Sequence, residues 1–406
     1  MARILNTIRT GDWLEKDRML VYPLVIMATT VVSIAYVLFS HGGVLPNGSP
    51  FGSDFVSFWV AAREALAGHP ETPYLVERFA AAQDSIFGDG NVYAFYYPPH
   101  FLAYLLPFGA LPYYPALAAW MAISFAAALW ALTRIAGRRI EVLILALAFP
   151  ATFLTIAHGQ NAFLSAALFG GGLALLRTRP VLAGILFGLM TFKPQLGLLI
   201  PLALIAGGNW RTILSAAATT VLIAAFSGVL FGTDVWALFL QQGSDAMATL
   251  RDGVVDRNKM MSVYAMLRLV GAGHGAAVAV QSVVSVLVAA AVAWAWFRKD
   301  AVAFDIRAVL LLTGALLATP FVLSYDLFLL APALAFIGAR GVTTGFRAYE
   351  KATLAFLYCA PFLILGLMAV NVPVAPFIVA LPFLQALKSA LDQNRRHADN
   401  ALIAAE

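Results

Sequence analysis

The sequence predicts an all-α polytopic membrane protein, and three observations predict it. Of 406 residues, 61% are hydrophobic and 12% are charged. The mean hydropathy is +0.83. Apolar runs of about 20 residues, the length that spans a bilayer as a helix, recur along the chain. Soluble domains carry about 25% charged residues, which excludes a water-soluble globular fold. A β-barrel would show alternating segments of about ten residues, and the sequence has no such pattern. The net charge of +5 does not point to nucleic acid, because the basic residues are scattered and fall at helix ends, as a topology signal does. The single cysteine, Cys359, forms no intramolecular disulfide. Eighteen residues precede the apolar run Met19–Ser40, which reads as an uncleaved first helix and not as a removable signal peptide.

Apolar runs and helix breakers place helices at 19–40, 113–134, 140–157, 162–177, 180–193, 194–207, 211–232, 275–297, 306–322, 325–339, 351–370 and 373–388. That is about 12 transmembrane helices in a single integral membrane domain over 1–406, with both termini on one side. The 180–207 pair is short and hinges at Lys193-Pro194, so a hairpin that does not fully cross stays open as an alternative. The apolar stretch from Pro98 to Leu111 is too short to cross and ends at Pro112. If it dips in and returns, Arg134, Arg138 and Arg139 join the basic N-terminus, so the positive-inside bias favours a re-entrant or surface helix. With that choice 19 of the 26 basic residues lie at inner turns. The outer side then holds both long loops, 41–112 and 233–274. Within the first, Phe55, Phe58, Trp59, Ala62 and Leu66 recur at helical spacing, which predicts an amphipathic helix over 54–66 lying on the outer membrane surface. Glu77–Phe87 is a second candidate. The 232–273 stretch, with its polar "RDGVVDRNKMMS", reads as an ordered lid or a flexible loop.

The unusual polar residues then fall on one face. Asp54 lies in the first outer loop, and His158, Gln160 and Asn161 form an outer turn. Lys193 sits at the hinge, and Tyr325 and Asp326 precede the tenth span. Charges at membrane depth cost several kcal/mol unless paired or facing water, so they suggest function. Lys193 has no carboxylate near it in sequence, and a phosphate is a natural partner for such a point cation. Simpler roles compete: Asp54 and Asp326 as helix N-caps, His158 as a packed interfacial residue, Lys193 snorkelling to headgroups, and the loop aromatics as an interface belt.

The segments "GSDFVSFWVAAREALAGHPETPY", "YAFYYPPHFLAYLLPFGALP", "GQNAFL", "LMTFKPQLGLLIP" and "SYDLFLLAPAL" together resemble glycosyltransferase family 87, the polyprenol-phosphate-mannose-dependent α-1,2-mannosyltransferases. The resemblance runs in order from about residue 50 to 335. It implies a GT-C-type fold with an active site on the outer face around a first-loop aspartate, which falls on Asp54. The family's Tyr-Pro-Pro segment falls on Tyr97, Pro98 and Pro99, its Gly-Gln-Asn turn on Gly159, Gln160 and Asn161, and its Lys-Pro hinge on Lys193 and Pro194. The family commonly has a histidine before tyrosine in the last motif, where this chain has Tyr325-Asp326.

On this reading the chain moves a sugar, mannose by resemblance, from a polyprenyl-phosphate-linked donor to a hydroxyl of a glycolipid or glycan acceptor. Asp54 is the expected general base. Lys193, His158, Gln160, Arg257 and Lys259 are candidates for the donor phosphate, and Trp59, Tyr97, Asn161, Tyr325 and Asp326 for sugar or acceptor. One-step displacement inverts the anomeric centre. No cofactor, divalent metal or nucleic acid is expected, and membrane lipids are the surrounding partners. A multi-pass protein of an inner (plasma) membrane is implied, with cytoplasmic termini and the site facing the periplasm or outside. The rivals are a transporter or lipid flippase, which also uses broken helices, and a non-catalytic scaffold.

Overall fold

The computed structural model describes residues 2–40, 42–44, 49–88, 90–252 and 259–403. Among them the chain is mostly helix joined by turns and loops, with two isolated β-bridges and no strand. The first part holds α1 (Ala2–Thr10), α2 (Lys16–Ser40), α3 (Ser53–Leu66), α4 (Val76–Phe87), α5 (Pro99–Gly109) and α6 (Tyr113–Ala136). The middle holds α7 (Ile140–Leu147), α8 (Pro150–His158), α9 (Ala162–Leu175), α10 (Pro180–Leu189), α11 (Pro194–Gly197), α12 (Leu199–Ala206), α13 (Trp210–Phe231), α14 (Thr233–Asp252) and α15 (Val263–Leu269). The last part holds α16 (His274–Phe297), α17 (Phe304–Ala318), α18 (Leu330–Thr344), α19 (Glu350–Ala369) and α20 (Ala375–Ile403), with a 3-10 segment at Ser324–Leu329 leading into α18.

Proline sets several of these boundaries. Pro99, Pro150, Pro180 and Pro194 each open a helix, where a missing N–H costs no hydrogen bond. Pro150 breaks the expected 140–157 span into α7 and α8, bent by 53°. Lys193, as the residue before Pro194, is forced out of the helical region (φ −128°, ψ 68°). Breaks of this kind shorten the helices. Seven helices among the described residues are long and apolar enough to cross a membrane, or eight if the bent pair counts as one. By length and composition alone, seven or eight of the twelve expected spans qualify among the described residues, and each predicted span contains helix. At 1.5 Å per residue, the 14 residues of α9 rise only about 21 Å, short of a hydrocarbon core of about 30 Å.

The core is built by α6 on α9, α10 on α13, α17 on α20 and α3 on α5. The α10–α13 contact rests on Gly184 and Gly188, four apart on one face. A Cβ at Gly184 would come within 2.4 Å of the Thr212 carbonyl oxygen, and one at Gly188 within 2.7 Å of the Ala216 carbonyl oxygen. Small residues at this spacing let two backbones touch.

Two expectations change. The 54–66 helix forms as α3, but it does not lie on a surface: Ser53 and every residue from Phe55 to Ala62 are buried. Phe58 alone meets the rings of Phe55, Phe95, Tyr97, Phe101 and Trp120. Val56, Val60 and Ala61 fill the opposite side, so this helix is apolar nearly all round and belongs in a core. The 233–274 stretch is mostly helix, as α14 and α15. Just before α15 it docks on the segment ahead of Ser324: Met260 and Leu323 form an isolated bridge, and the Met261 N–H donates to the Val322 carbonyl (2.7 Å). The α5 helix, 11 residues long, is too short to cross and packs on α3.

Candidate active site

Four interruptions of helix meet at one place: the N-terminus of α3, the α8–α9 turn, the α10–α11 break and the 3-10 segment before α18. Irregular backbone at membrane depth is tolerated only where protein covers it or where it lines a cavity. The first two are tied together tightly. The Gly52 N–H donates to the Ala157 carbonyl (3.0 Å), and the Tyr113 hydroxyl donates to the Gly52 carbonyl (2.8 Å). Gly159 holds φ +68°, and a Cβ there would lie 2.6 Å from the Phe55 Cβ. Only glycine meets both demands.

Asp54 therefore arrives in the first turn of α3, with Gly52 in the cap position and no side-chain cap bond. The capping alternative is corrected by this placement. Its carboxylate makes no cap hydrogen bond and turns instead towards the α8–α9 turn. Gln160 Nε2 donates to Asp54 Oδ2 (3.1 Å). The amide orientation follows from its other end, because the backbone N–H of Asn161 can only donate and does so to Gln160 Oε1 (3.2 Å). The Tyr97 hydroxyl donates to that same oxygen (3.3 Å). Burial, with the charge of Asp326 next, pushes Tyr97 well above the ordinary phenol range, so it stays a donor. Asp54 Oδ1 faces His158 Nδ1 at 4.0 Å, beyond hydrogen-bond reach. The Asp54 and His158 side chains keep 27% and 25% of their surface accessible, and they form the open side of the cluster.

Behind them lies a closed layer. Lys193 Nζ donates to Asp326 Oδ1 (2.5 Å) and to Asn161 Oδ1 (3.2 Å). It also sits 5.1 Å from the centroid of the Tyr325 ring, which in turn meets His158 edge-on at 5.9 Å. Asp326 Oδ2 accepts the Leu323 N–H (3.1 Å). Lys193 has no carboxylate near it in sequence, and in space one reaches it from 133 residues away. Leu323, and not Asp326, is the N-cap of this helical segment; Asp326 sits inside its first turn and reaches back to the Leu323 N–H with one oxygen. Among the described residues, His158 Nδ1 and Asn161 Nδ2 are buried without a hydrogen-bond partner, a condition that costs about 1–3 kcal/mol per group.

The structure thus brings Asp54, Tyr97, His158, Gln160, Asn161, Lys193, Tyr325 and Asp326 together. Lys259 is exposed and close enough to His158 for its charge to be felt there. Trp59 does not join them. Its Nε1 donates to the Leu111 carbonyl (2.9 Å) and its ring packs on Phe87 and Tyr113. Arg257 lies outside the described residues. Sequence reasoning passed over His100, a buried residue of α5 within 3.4 Å of Thr191 beside the α10–α11 break. Its position directly after the Tyr-Pro-Pro segment was the available signal. Among the described residues no three His, Cys, Asp or Glu side chains gather as a metal-ligand set.

Residues 95–320 match the family model for glycosyltransferase family 87. No curated protein and no solved structure matches the chain. The matched segment carries Tyr97, His158, Gln160, Asn161 and Lys193, whereas Asp54 and Asp326 lie to either side of it and join it in space through the hydrogen bonds above. A match over more than half of the sequence decides between enzyme and transporter: the chain belongs to glycosyltransferase family 87 and is a glycosyltransferase.

Proposed function

We propose that the chain transfers a sugar, mannose by its family resemblance, from a polyprenyl-phosphate donor to an acceptor hydroxyl at the face where Asp54 opens. The observation that carries this reading is the state of Asp54. One carboxylate oxygen is anchored by Gln160, while the other points into the accessible side of the cluster beside His158. An alcohol is a weak nucleophile at neutral pH, and a positioned carboxylate that takes its proton as the bond forms is worth about 10²–10⁴-fold. In the proposed step the acceptor oxygen bonds to the anomeric carbon from the side opposite the phosphate. The bond from that carbon to the phosphate oxygen breaks, the proton passes to Asp54, and polyprenyl phosphate leaves with both bonding electrons. A single displacement inverts the anomeric centre.

The leaving phosphate needs donors and positive charge. His158, with its unpartnered buried nitrogen, Lys259 nearby and Gln160 support that role; Arg257 joins them as a proposal from sequence. Asn161 Nδ2 and the Tyr97 and Tyr325 hydroxyls are proposed for sugar or acceptor, of the glycolipid or glycan class. The site is proposed to face the periplasm or outside, with both termini cytoplasmic in an inner (plasma) membrane, a reading supported by the placement of 19 of the 26 basic residues at inner turns.

The test is direct transfer. Purified protein in lipid nanodiscs is given radiolabelled polyprenyl-phosphate mannose and a panel of glycolipid and glycan acceptors. The reading expects label on an acceptor, with the anomeric configuration inverted. Transfer from a sugar nucleotide and none from the lipid donor would overturn the donor class.

A further inference from the structure

Lys193 and Asp326 are the most deeply buried charges of the cluster, 3% and 1% exposed. An ammonium has three N–H donors. Two are used on Asp326 Oδ1 and Asn161 Oδ1, and the cation rests over the Tyr325 ring at 5.1 Å, an arrangement that satisfies a buried ammonium. Asp326 is equally complete, with Oδ1 on Lys193 and Oδ2 on the Leu323 N–H. The pair is therefore covered, and each charge is met by the other and by one neighbouring polar group. Its outward link runs from Lys193 to Asn161 Oδ1. A cation can only donate, so Asn161 must present its oxygen there. The Asn161 backbone N–H holds Gln160 Oε1, and Gln160 Nε2 holds Asp54. Lys193 and Asp326 come from two other helix breaks, so the pair also locks the α10–α11 break and the segment before α18 to the turn that carries Gln160.

We infer that the Lys193–Asp326 pair is a positioning element that holds the Gln160–Asn161 turn, and through it Asp54, in register, and that Lys193 is not the ligand of the donor phosphate. The inference rests on the reading of Asp54 as the base. Breaking a buried pair by removing one partner is far more damaging than replacing both by apolar residues, and a small misplacement of a base costs about 100-fold in rate.

The experiment compares Asp326→Asn, Lys193→Met and the reversed pair Lys193→Asp/Asp326→Lys. Each is purified in nanodiscs, its folded fraction is measured by thermal unfolding, and kcat and donor KM are taken per folded protein with polyprenyl-phosphate mannose. Binding of polyprenyl phosphate alone is measured in parallel. Positioning predicts that both single variants lose about 100-fold in kcat while donor KM and polyprenyl-phosphate affinity stay within about twofold. The reversed pair restores the ion pair but leaves the Leu323 N–H without its acceptor and requires Asn161 to turn its amide. It therefore loses less than the product of the two single losses without returning to wild type. A phosphate-binding Lys193 predicts the opposite. Lys193→Met would weaken donor KM and polyprenyl-phosphate binding by about tenfold or more, Asp326→Asn would leave or improve them, and reversal would rescue nothing; that result overturns the inference. Loss of folded protein with unchanged kcat in the folded fraction overturns it as well, since a merely structural pair behaves so. If wild type neither binds polyprenyl phosphate nor transfers the sugar, the donor class proposed above fails. The pair is then read from its double-mutant cycle in thermal stability, where additive single effects overturn it.

Discussion

Gln160 links the backbone to Asp54, the proposed base. Its carbonyl oxygen is claimed by the Asn161 N–H and the Tyr97 hydroxyl, which leaves its amide to hold Asp54. Gln160→Ala removes that hold and leaves the carboxylate in place, and is expected to lower kcat by about 10–100-fold with the fold intact. Gln160→Glu sets a second carboxylate against Asp54, and like charges at this range repel. Its kcat, measured beside that of Gln160→Ala, is expected to fall further. At this scale the sequence was informative about residue types and poor about partners. Asp54, His158, Gln160, Lys193 and Asp326 stood out because ionisable and amide groups are costly in an apolar chain. The Lys193–Asp326 contact did not, because 133 residues separate the partners and no local period links them. Trp59 misled for a related reason: aromatic character marks a sugar platform and a core anchor alike, and only the Leu111 carbonyl at its indole N–H tells them apart.

At the level of elements, α3 depends on backbone-close contacts at both ends. At its start Gly159 abuts Phe55 and the Gly52 carbonyl. At its far end Gly109 of α5 abuts Ala62, where an added Cβ would lie 2.8 Å from the Ala62 carbonyl carbon. Gly159→Ala combines a positive φ with that clash. It is expected to cost about 1–3 kcal/mol, seen as a lower midpoint of thermal unfolding, and to reduce activity because it parts Asp54 from Gln160. Gly109→Val is expected to destabilise by a similar amount through the α3–α5 contact alone, with kcat of the folded fraction closer to wild type. Helix positions were legible in the sequence because proline and apolar run length mark them: α2, α6, α13 and α16 start and end within three residues of the expected spans. The environment of α3 was misread. Helical period identifies an apolar stripe, but Val56, Val60 and Ala61 make the remaining side apolar too, and whether protein or lipid covers such a helix depends on distant rings such as Phe101 and Trp120.

Across the whole molecule, contacts pair the turns that the basic residues assign to one side. The Tyr349 N–H donates to the Arg9 carbonyl, Lys16 pairs with Glu141 (3.1 Å), Lys299 reaches the Gly207 carbonyl, and Arg340 joins Asp305 and Glu350. The Asp54 cluster uses none of these turns. In a Cys359→Ala background, Ala67→Cys is expected to react with a membrane-impermeant maleimide on intact cells, and Ala348→Cys only after permeabilisation. The reverse pattern would place the cluster on the cytoplasmic side. The account as a whole stands on Asp54 as the base of sugar transfer from a lipid phosphate. The most direct measurement is the single-turnover rate of mannose transfer from polyprenyl-phosphate mannose by wild type, Asp54→Asn and Asp54→Ala at equal folded protein. The account predicts a loss of about 10²–10⁴-fold in both variants with polyprenyl-phosphate binding retained. Transfer at the wild-type rate by Asp54→Asn would contradict it.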